Sequence, residues 1–213
     1  MTSVAIIDYG AGNLHSVARA LRHVGAKIKV TSSASDIASA SGIVLPGVGA
    51  AADTMRGLQH THVTDALLDV IHAGTPFMGV CMGLEVLYES SDEDGGTPCL
   101  GVLRGRVVRF PDGLHVPHMG WNQVHQEIDS PLFDGISQDA NFYFVHSYYA
   151  PADNTSHVAA TTNYGVNIAS ALLNNNLFAT QFHPEKSGTA GLRLYANFAR
   201  LTGQSLPREV ISP

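Results

Sequence analysis

Charged residues, cysteines and long apolar runs are scarce in this 213-residue sequence. Asp, Glu, Lys and Arg make up 14% of it, and its formal net charge of −6 comes without a basic cluster, which argues against a nucleic-acid partner. The two cysteines, Cys81 and Cys99, supply no disulfide framework and fit a reducing compartment. The N-terminus has no basic lead, and no apolar run approaches the length of a membrane span, so neither a signal peptide nor an anchor is expected.

Apolar residues are abundant, at 45% of the chain, which predicts a large core and a single domain over residues 1–213. In the first half, short apolar runs that indicate strands alternate with segments of helical periodicity. The strand patterns are at 4–7, 28–31, 42–45 and 77–80, and the helical patterns are at 14–24, 36–40 and 63–73. Such alternation favours parallel pairing with right-handed crossovers. The expected fold is therefore α/β, with a mostly parallel, flavodoxin-like open sheet that carries helices on both faces.

The second half has a different pattern. An acidic, Gly-rich loop is predicted at 90–98, and a closing helix is predicted at 191–201. Between them, short strands are predicted at 101–110, 125–128, 141–146, 157–162, 168–173 and 177–182. We expect these strands to extend the sheet in antiparallel or mixed pairing.

The stretch TPFMGVCMGLEVL, residues 75–87, places a cysteine between a strand and a helix. The apolar run 77–80 ends at Cys81, and the next residues have helical spacing. Gly79 and Gly83 flank the cysteine two positions away, as the tight turn of a nucleophile elbow requires. The thiol would then lie at the positive end of a helix, which favours the thiolate. The alternative is a buried structural cysteine at the end of a central strand.

An imidazole and a carboxylate occur close together in QFHPEKSG, residues 181–188. In extended backbone His183 and Glu185 point to the same side, and the intervening proline keeps the spacer rigid. The strand predicted at 177–182 delivers His183 to the carboxyl edge of the sheet, where functional residues of open α/β sheets gather. Together with Cys81, these residues are candidates for a nucleophilic triad. Alone, a His-Pro-Glu tripeptide is more often an ordinary loop.

A glycine loop, LPGVG at residues 45–49, follows the third predicted strand. A thiolate that attacks a carbonyl creates an oxyanion, which needs preorganised N–H donors. The candidates are the N–H of Met82 and those of the segment formed by Gly47, Val48 and Gly49. For its N–H to face the oxyanion, we expect the Val48 peptide to turn over; a β-branched residue resists positive φ, and the two glycines supply the freedom. The alternative is an ordinary Gly-rich turn.

Three of these motifs occur in a familiar order. PGVG at 46–49, GVCMG at 79–83 and HPE at 183–185 resemble the class I, or triad, glutamine amidotransferases. Four longer stretches are similar to the glutaminase subunits of imidazole glycerol phosphate synthase, and the likeness extends from Ile6 to about Phe198. These stretches are DYGAGN at 8–13, PHMGWN at 117–122, YFVHSYY at 143–149 and HPEKSG at 183–188.

The resemblance implies hydrolysis of glutamine to glutamate and ammonia. Cys81 would form a glutamyl thioester, His183 would move protons, and Glu185 would orient the imidazole. The partner implied is a (β/α)8-barrel cyclase subunit in a heterodimer, which uses the ammonia to make imidazole glycerol phosphate and aminoimidazole carboxamide ribotide in histidine biosynthesis. A barrel needs roughly 200–250 residues, so this chain would be the separate glutaminase subunit. Neither a metal nor a cofactor is needed, and the expected location is the cytoplasm.

The resemblance also assigns residues beyond the triad. His146, Ser147, Tyr148 and Gly49 would lie along the bound glutamine, although the first three also fit a plain strand terminus. Members of the family usually have Met-Gln where this chain has Leu84-Glu85, and we expect Glu85 to contact the substrate and change its affinity. The alternative for Glu85 is a solvated helix glutamate.

Asn13, Trp121 and Lys186 are the candidates for the partner interface. An exposed tryptophan is a natural interface anchor, but a core tryptophan is nearly as common.

Two further patterns are weak. Gly10 and Gly12 follow a strand like a dinucleotide-binding loop, yet His15 stands at the third glycine position. The histidines at positions 115, 118 and 125 lack the paired spacing of zinc ligands.

Two rival functions stay open. One is another triad amidotransferase, of the anthranilate synthase or GMP synthetase type, although PHMGWN and YFVHSYY point away from both. The other is a non-catalytic, flavodoxin-like binding protein, although such a protein would be expected to lose Cys81 or His183.

Overall fold

A computed structural model describes residues 3–152 and 157–207. Its strands are β1 (Val4–Ile7), β2 (Ile28–Thr31), β3 (Gly42–Gly47), β4 (Phe77–Cys81), β5 (Tyr88–Ser91), β6 (Thr97–Pro98), β7 (Leu103–Arg109), β8 (His118–Gln126), β9 (Ala140–His146), β10 (Tyr148–Tyr149), β11 (Val158–Asn163), β12 (Asn167–Asn174) and β13 (Leu177–Thr180). Its helices are α1 (Leu14–His23), α2 (Ala34–Ser39), α3 (Ala51–His60), α4 (Thr64–His72), α5 (Met82–Glu85) and α6 (Gly188–Leu201). Within these described ranges, no helix has the length and apolarity to cross a membrane.

The central sheet has nine strands in the order β2-β1-β3-β4-β13-β12-β11-β8-β9. The first five are parallel, and the pairs from β13 to β9 are antiparallel. In the β3–β4 register Gly47 lies opposite Cys81, and β13 pairs with β4 on the other side. The ends of β3, β4 and β13 therefore meet at one edge of the sheet, as expected for a mostly parallel sheet extended by antiparallel strands.

Both faces of the parallel half are covered by helices. Val4 and Ile6 of β1 belong to the apolar cluster that includes α1 and α6, whereas Ala5 and Ile7 belong to the cluster that includes α2, α3 and α4. Successive strand residues point to opposite faces, so one strand contributes to both layers. The predicted α/β architecture with two helical layers is confirmed.

A second sheet, in the order β10-β7-β5-β6, was not predicted. The sequence favours an irregular loop over residues 90–98, but the structure forms the end of β5, a short 3-10 turn and β6 there. Leu103 and Val107 of β7 belong to the same apolar cluster as Ile43 of β3. The second sheet therefore packs on the helix-covered core of the first.

One helix was not predicted, and two predicted element boundaries are wrong. Helix α3 was not predicted, because its exposed polar residues and Gly57 obscure a buried stripe formed by Ala51, Met55 and Leu58. Strand β8 begins at His118, not at residue 125. Helix α5 ends at Glu85, because the chain turns there into β5.

Candidate active site

The expected elbow at Cys81 is present. The residue has φ 53° and ψ −108°, a left-handed conformation that is strained for a residue with a side chain. The turn is possible because strand β3 and the start of α5 touch: a Cβ on Gly47 would lie 2.5 Å from the Cβ of Met82, and one on Gly83 would meet the Leu45 carbonyl oxygen. The glycines therefore allow the close approach that aims the thiol out of the sheet edge.

The Cys81 thiol lies in a buried, acidic environment. Its Sγ is 4.0 Å from the carbonyl oxygen of Val145. Burial and the nearby Glu85 carboxyl raise the pKa of Cys81 well above its usual range. The backbone N–H of Met82 at the start of α5 lowers this pKa, as expected at a helix terminus, but the effect of burial is larger.

His183 and Glu185 form the expected pair. The His183 Nδ1 lies 2.9 Å from Glu185 Oε1, and both side chains are buried. Asn13 Nδ2 also donates to this oxygen over 3.3 Å, and the Tyr195 hydroxyl lies 3.4 Å from Oε2. Burial alone would raise the pKa of Glu185, but the hydrogen bond and charge of His183 outweigh it and lower that pKa. The His183 Nε2 has no hydrogen-bond partner among the described residues.

One cavity of about 300 Å³ brings most of the predicted site residues together. Cys81 and His183 line it, so the thiol and the imidazole face a common space, with Glu185 behind the imidazole. The other lining residues are Val48, Gly49, Met82, Glu85, Glu93, Pro117, Val145, His146, Ser147 and Tyr148. A substrate in this space would contact residues from several distant parts of the chain.

Glu85 is 2% exposed, so the interpretation of a solvated helix glutamate is wrong. Its Oε1 accepts a hydrogen bond from Gln181 Nε2 over 2.8 Å, and its Oε2 has no partner in the described parts of the chain. Burial raises the pKa of Glu85 to about 8. The side chain is therefore a neutral acid at pH 7, with one oxygen free to bond a ligand.

Glu93 is a lining residue that sequence reasoning missed. Its Oε2 accepts a hydrogen bond from the N–H of Ala51 over 2.7 Å, which joins the acidic loop to the first turn of α3. Helix α3 follows directly after the glycine loop at 47–49. The only signal in the sequence was the acidic character of residues 90–98, which does not single out one carboxylate.

The proposed oxyanion segment occupies the cavity rim. Gly47 ends β3 beside Cys81, and Gly49 has φ +93°, so it uses a conformation that favours glycine. Val48 and Gly49 line the cavity together with Met82.

An exposed apolar patch lies on the β8–β9 hairpin. Trp121 is 58% and Met119 62% exposed, so the interpretation of Trp121 as a core residue is wrong. The indole contacts Tyr143 edge to face at 6.1 Å, and Lys186 Nζ lies 5.6 Å from the centroid of the same tyrosine ring. We call Met119, Trp121 and Tyr143 of the hairpin, together with the neighbouring Lys186, the hairpin patch. Asn13, the third interface candidate, lies at the start of α1 and bonds Glu185.

The histidines considered as zinc ligands and the glycines considered as a dinucleotide-binding loop make other contacts. His118 pairs with His146, and His125 pairs with Asp139 at 2.8 Å. In residues 3–152 and 157–207, no group of three or more His, Cys, Asp or Glu side chains is arranged to hold a metal ion. The N–H of Gly10 donates to Asp8 Oδ1 over 3.0 Å and closes a local turn.

Comparisons with known proteins show which family and which relatives this chain is similar to. The model of the family "Glutamine amidotransferase class-I" matches residues 5–201. The chain is 48% identical over 198 residues to the imidazole glycerol phosphate synthase subunit HisH of Dehalococcoides mccartyi (strain CBDB1), covering 93% of this chain and 97% of that protein. It is 51% identical over 210 residues to the same subunit of Nitrosococcus oceani, covering 96% and 100%.

Solved structures agree on the fold. A crystal structure of a glutamine amidotransferase matches with a TM-score of 0.73 at 19% identity, covering 94% of this chain and 99% of that chain. The glutaminase domain of Trypanosoma brucei CTPS with bound acivicin matches with a TM-score of 0.70 at 16% identity, covering 98% and 97%. With its elbow cysteine and its match over residues 5–201, the chain belongs to the class-I glutamine amidotransferase family.

Proposed function

We propose that this protein is the glutaminase subunit of an imidazole glycerol phosphate synthase, which hydrolyses glutamine and passes ammonia to a (β/α)8-barrel cyclase subunit. The observation that carries the proposal is the meeting of Cys81, His183 and Glu185 around one cavity of about 300 Å³. The full-length similarity to two HisH subunits, at 48% and 51% identity, supports this type of amidotransferase over the anthranilate synthase and GMP synthetase types.

The triad moves one proton in each half of the reaction, first from the thiol to ammonia and then from water to the sulfur. The Glu185 carboxylate accepts the Nδ1–H of His183, which leaves the Nε2 lone pair free to take the Cys81 proton. The sulfur then attacks the side-chain amide carbon of glutamine, the C–N bond breaks, and His183 returns the proton to the leaving ammonia. Water then gives a proton to His183 and attacks the thioester carbon, the C–S bond breaks to release glutamate, and His183 returns the proton to the Cys81 sulfur. The raised pKa of the thiol means that this proton transfer needs His183.

The oxyanion of each tetrahedral intermediate is assigned to the N–H of Met82 and to the loop of Gly47, Val48 and Gly49. This assignment rests on their position at the cavity rim beside Cys81. Because the Val48 peptide must turn over to present its N–H, the lone subunit is expected to be a poor glutaminase.

The amino-acid end of glutamine is assigned to other residues that line the same cavity. Backbone groups of His146, Ser147 and Tyr148 hold it, together with the side chains of Glu85 and Glu93. Glu93, whose carboxylate is tied to the start of α3, suits the substrate ammonium group. Glu85 is expected to alter glutamine affinity rather than the chemistry.

The cyclase is assigned to the hairpin patch and to Asn13. Asn13 donates a hydrogen bond to Glu185 of the triad, and Lys186 directly follows Glu185 in the chain. The proposed surface therefore adjoins the triad. The proposed location is the cytoplasm. The proposed extent is a single domain over residues 1–213, supported by the apolar cluster that joins the two sheets.

Glutamate release tests the proposal. The wild-type chain is assayed alone, with the cyclase subunit, and with the cyclase loaded with its nucleotide substrate. We expect turnover to rise steeply in the third case, and a glutamine-mimicking chloroketone to label Cys81 but not a Cys81→Ser variant. Equal turnover of the lone chain and the liganded complex would refute the activation. Failure of both labelling and turnover would refute the glutaminase function and favour a binding protein.

A further inference from the structure

The motif PHMGWN at residues 117–122 has structural features that its similarity to the family does not explain. It starts strand β8, where His118, Gly120 and Asn122 point to one side of the strand while Met119 and Trp121 point to the other. The second set forms part of the hairpin patch. The first set contains two polar side chains, one of them buried, for which the proposed reaction gives no role.

A chain of hydrogen bonds runs from Asn122 to the cavity wall. Asn122 Nδ2 lies 3.2 Å from His118 Nε2, and His118 Nδ1 lies 3.0 Å from His146 Nε2. His146 Nδ1 in turn lies 2.7 Å from the carbonyl oxygen of Tyr148. His118 and His146 are direct partners across β8 and β9, and both His146 and Tyr148 line the cavity. We call this chain the histidine relay.

The contacts at both ends of the relay determine which nitrogen atoms donate hydrogen bonds and which accept them. The Tyr148 carbonyl can only accept, so His146 carries its proton on Nδ1 and offers a lone pair at Nε2. His118 must then donate from Nδ1, which leaves its Nε2 as an acceptor.

At the other end, Asn122 Oδ1 accepts from the N–H of Gln123 over 2.8 Å, and Asn122 Nδ2 donates to the Asn163 carbonyl over 3.1 Å. The amide is thereby oriented with its second N–H toward His118. Each histidine is therefore held in its Nδ1–H tautomer.

The surroundings keep the relay neutral and immobile. The His118 ring stacks between Phe144, at 4.8 Å, and Tyr164, at 3.9 Å. Burial lowers the pKa of His118 to about 4 and that of His146 to about 3. Neither ring is exposed enough to exchange its partner for bulk water.

We propose that His118 and Asn122 are positioning residues for the substrate, because through His146 they fix the shape of the cavity wall formed by residues 146–148. The proposal rests on the glutaminase function proposed above. A distorted wall would weaken the hold on the amino-acid end of glutamine, while the His183–Glu185 pair, whose own hydrogen bond does not involve residues 146–148, keeps its geometry. The expected signature is therefore a change in KM with little change in kcat.

The kinetic test uses the complex with the ligand-loaded cyclase. His118→Phe keeps an aromatic ring but leaves the His146 acceptor and the Asn122 donor unpaired, and we expect KM for glutamine to rise about tenfold with kcat within about twofold. His118→Asn places an amide N–H at the position of Nδ1, so it should recover most of the loss. His125→Phe, an exposed histidine on the same strand, is the matched control and should leave KM unchanged.

The structural test does not depend on activity. Long-range ¹⁵N–¹H spectra of histidine-labelled wild type should show both relay histidines as Nδ1–H tautomers, with the two resonance sets assigned from the variants. In His118→Phe, His146 should keep the Nδ1–H tautomer that the Tyr148 carbonyl imposes, but its Nε2 resonance should shift because that lone pair has lost its donor.

An Nε2–H or charged His146 in the wild type, or an unchanged KM in His118→Phe, would overturn the proposal. A chain with the expected tautomers but no glutaminase activity would overturn the proposed function while the relay itself stands.

Discussion

At the scale of single residues, burial of the Glu85 carboxyl in the cavity lowers the stability of the folded state. A carboxyl that is buried without a countercharge keeps its proton, and this one keeps it up to a pKa of about 8. In the unfolded chain the same group ionises near its usual pKa of about 4.5. Between these two values the folded state holds one proton more than the unfolded state, so its stability falls as the pH rises.

Replacing this carboxyl by an amide should remove that penalty. We expect Glu85→Gln to gain stability over the wild type progressively between about pH 4.5 and 8, reaching on the order of 5 kcal/mol, because glutamine has no proton to lose. The measurement is urea unfolding at several pH values, with glutamine KM and kcat recorded for the liganded complex. KM should change and kcat should not.

Asp69→Asn, at an exposed carboxylate on α4, is the control and should show no such trend. A Glu85→Gln variant whose stability parallels the wild type at every pH would contradict a neutral buried carboxyl. Unchanged KM and kcat would remove Glu85 from the substrate contacts.

The same scale shows which site residues a sequence can reveal. His183 and Glu185 were predictable as a pair because they are only two residues apart, although the structure joins them through a 3-10 turn at Pro184–Lys186 and not through the extended backbone that was expected. Glu93 was not, because its place in the cavity depends on a hydrogen bond to Ala51, 42 residues earlier in the chain. The burial of Glu85 likewise depends on Gln181, which no local pattern connects to it.

At the scale of elements, the elbow depends on β3 and α5 touching at backbone distance. A methyl group on Gly83 would collide with the Leu45 carbonyl oxygen, so one of the two elements would have to move. We expect Gly83→Ala to lose about 3 kcal/mol of unfolding free energy and nearly all glutaminase activity, because the displaced turn carries Cys81. Chemical denaturation and chloroketone labelling measure the two effects.

Gly74→Ala separates crowding from backbone strain. Gly74 has φ +83° with open space around it, so alanine there should cost about 1 kcal/mol and leave labelling intact. Equal losses in the two variants would mean that the close approach of β3 and α5 does not matter.

Strand β8 illustrates why some elements escaped prediction. Alternation of apolar and polar residues predicts a strand with one buried face, but Met119 and Trp121 are apolar and exposed while His118 is polar and buried. The pattern is inverted where the strand carries the hairpin patch on one side and the histidine relay on the other. A local rule fails here because the exposed face of the strand is apolar and its buried face carries a hydrogen-bonded histidine.

At the scale of the whole molecule, the nine-stranded sheet separates two tasks. Its parallel half brings Cys81 and His183 to one edge, a convergence predictable from strand order because parallel strands end on the same side. Its antiparallel half ends in the β8–β9 hairpin, which contributes His146 to the cavity and Trp121 to the surface. The four-stranded second sheet was not predictable, since β5 and β7 pair across an irregular register.

The β8–β9 hairpin carries His146 in the cavity and Trp121 on the surface. Because Trp121 is exposed, a substitution there should change partner binding without changing folding. We expect Trp121→Ala to weaken cyclase binding at least tenfold, because a large exposed indole is a typical interface anchor and its loss costs about 2 kcal/mol. The unfolding free energy should change by less than about 0.5 kcal/mol, since the side chain is 58% exposed. Calorimetric titration with the cyclase and denaturant unfolding of the lone chain measure the two quantities.

The control for this surface lies at the opposite edge of the sheet. Val30 of β2 is also apolar and 38% exposed, so Val30→Ala removes a comparable exposed group far from the hairpin patch. It should leave cyclase affinity and activation unchanged. If Trp121→Ala bound the cyclase as tightly as Val30→Ala, the partner would have to approach the triad from another side, and the α1 surface around Asn13 would be the next to test. Weak binding that excess cyclase fully compensates would instead show that Trp121 contributes affinity, while activation is transmitted through the hairpin itself.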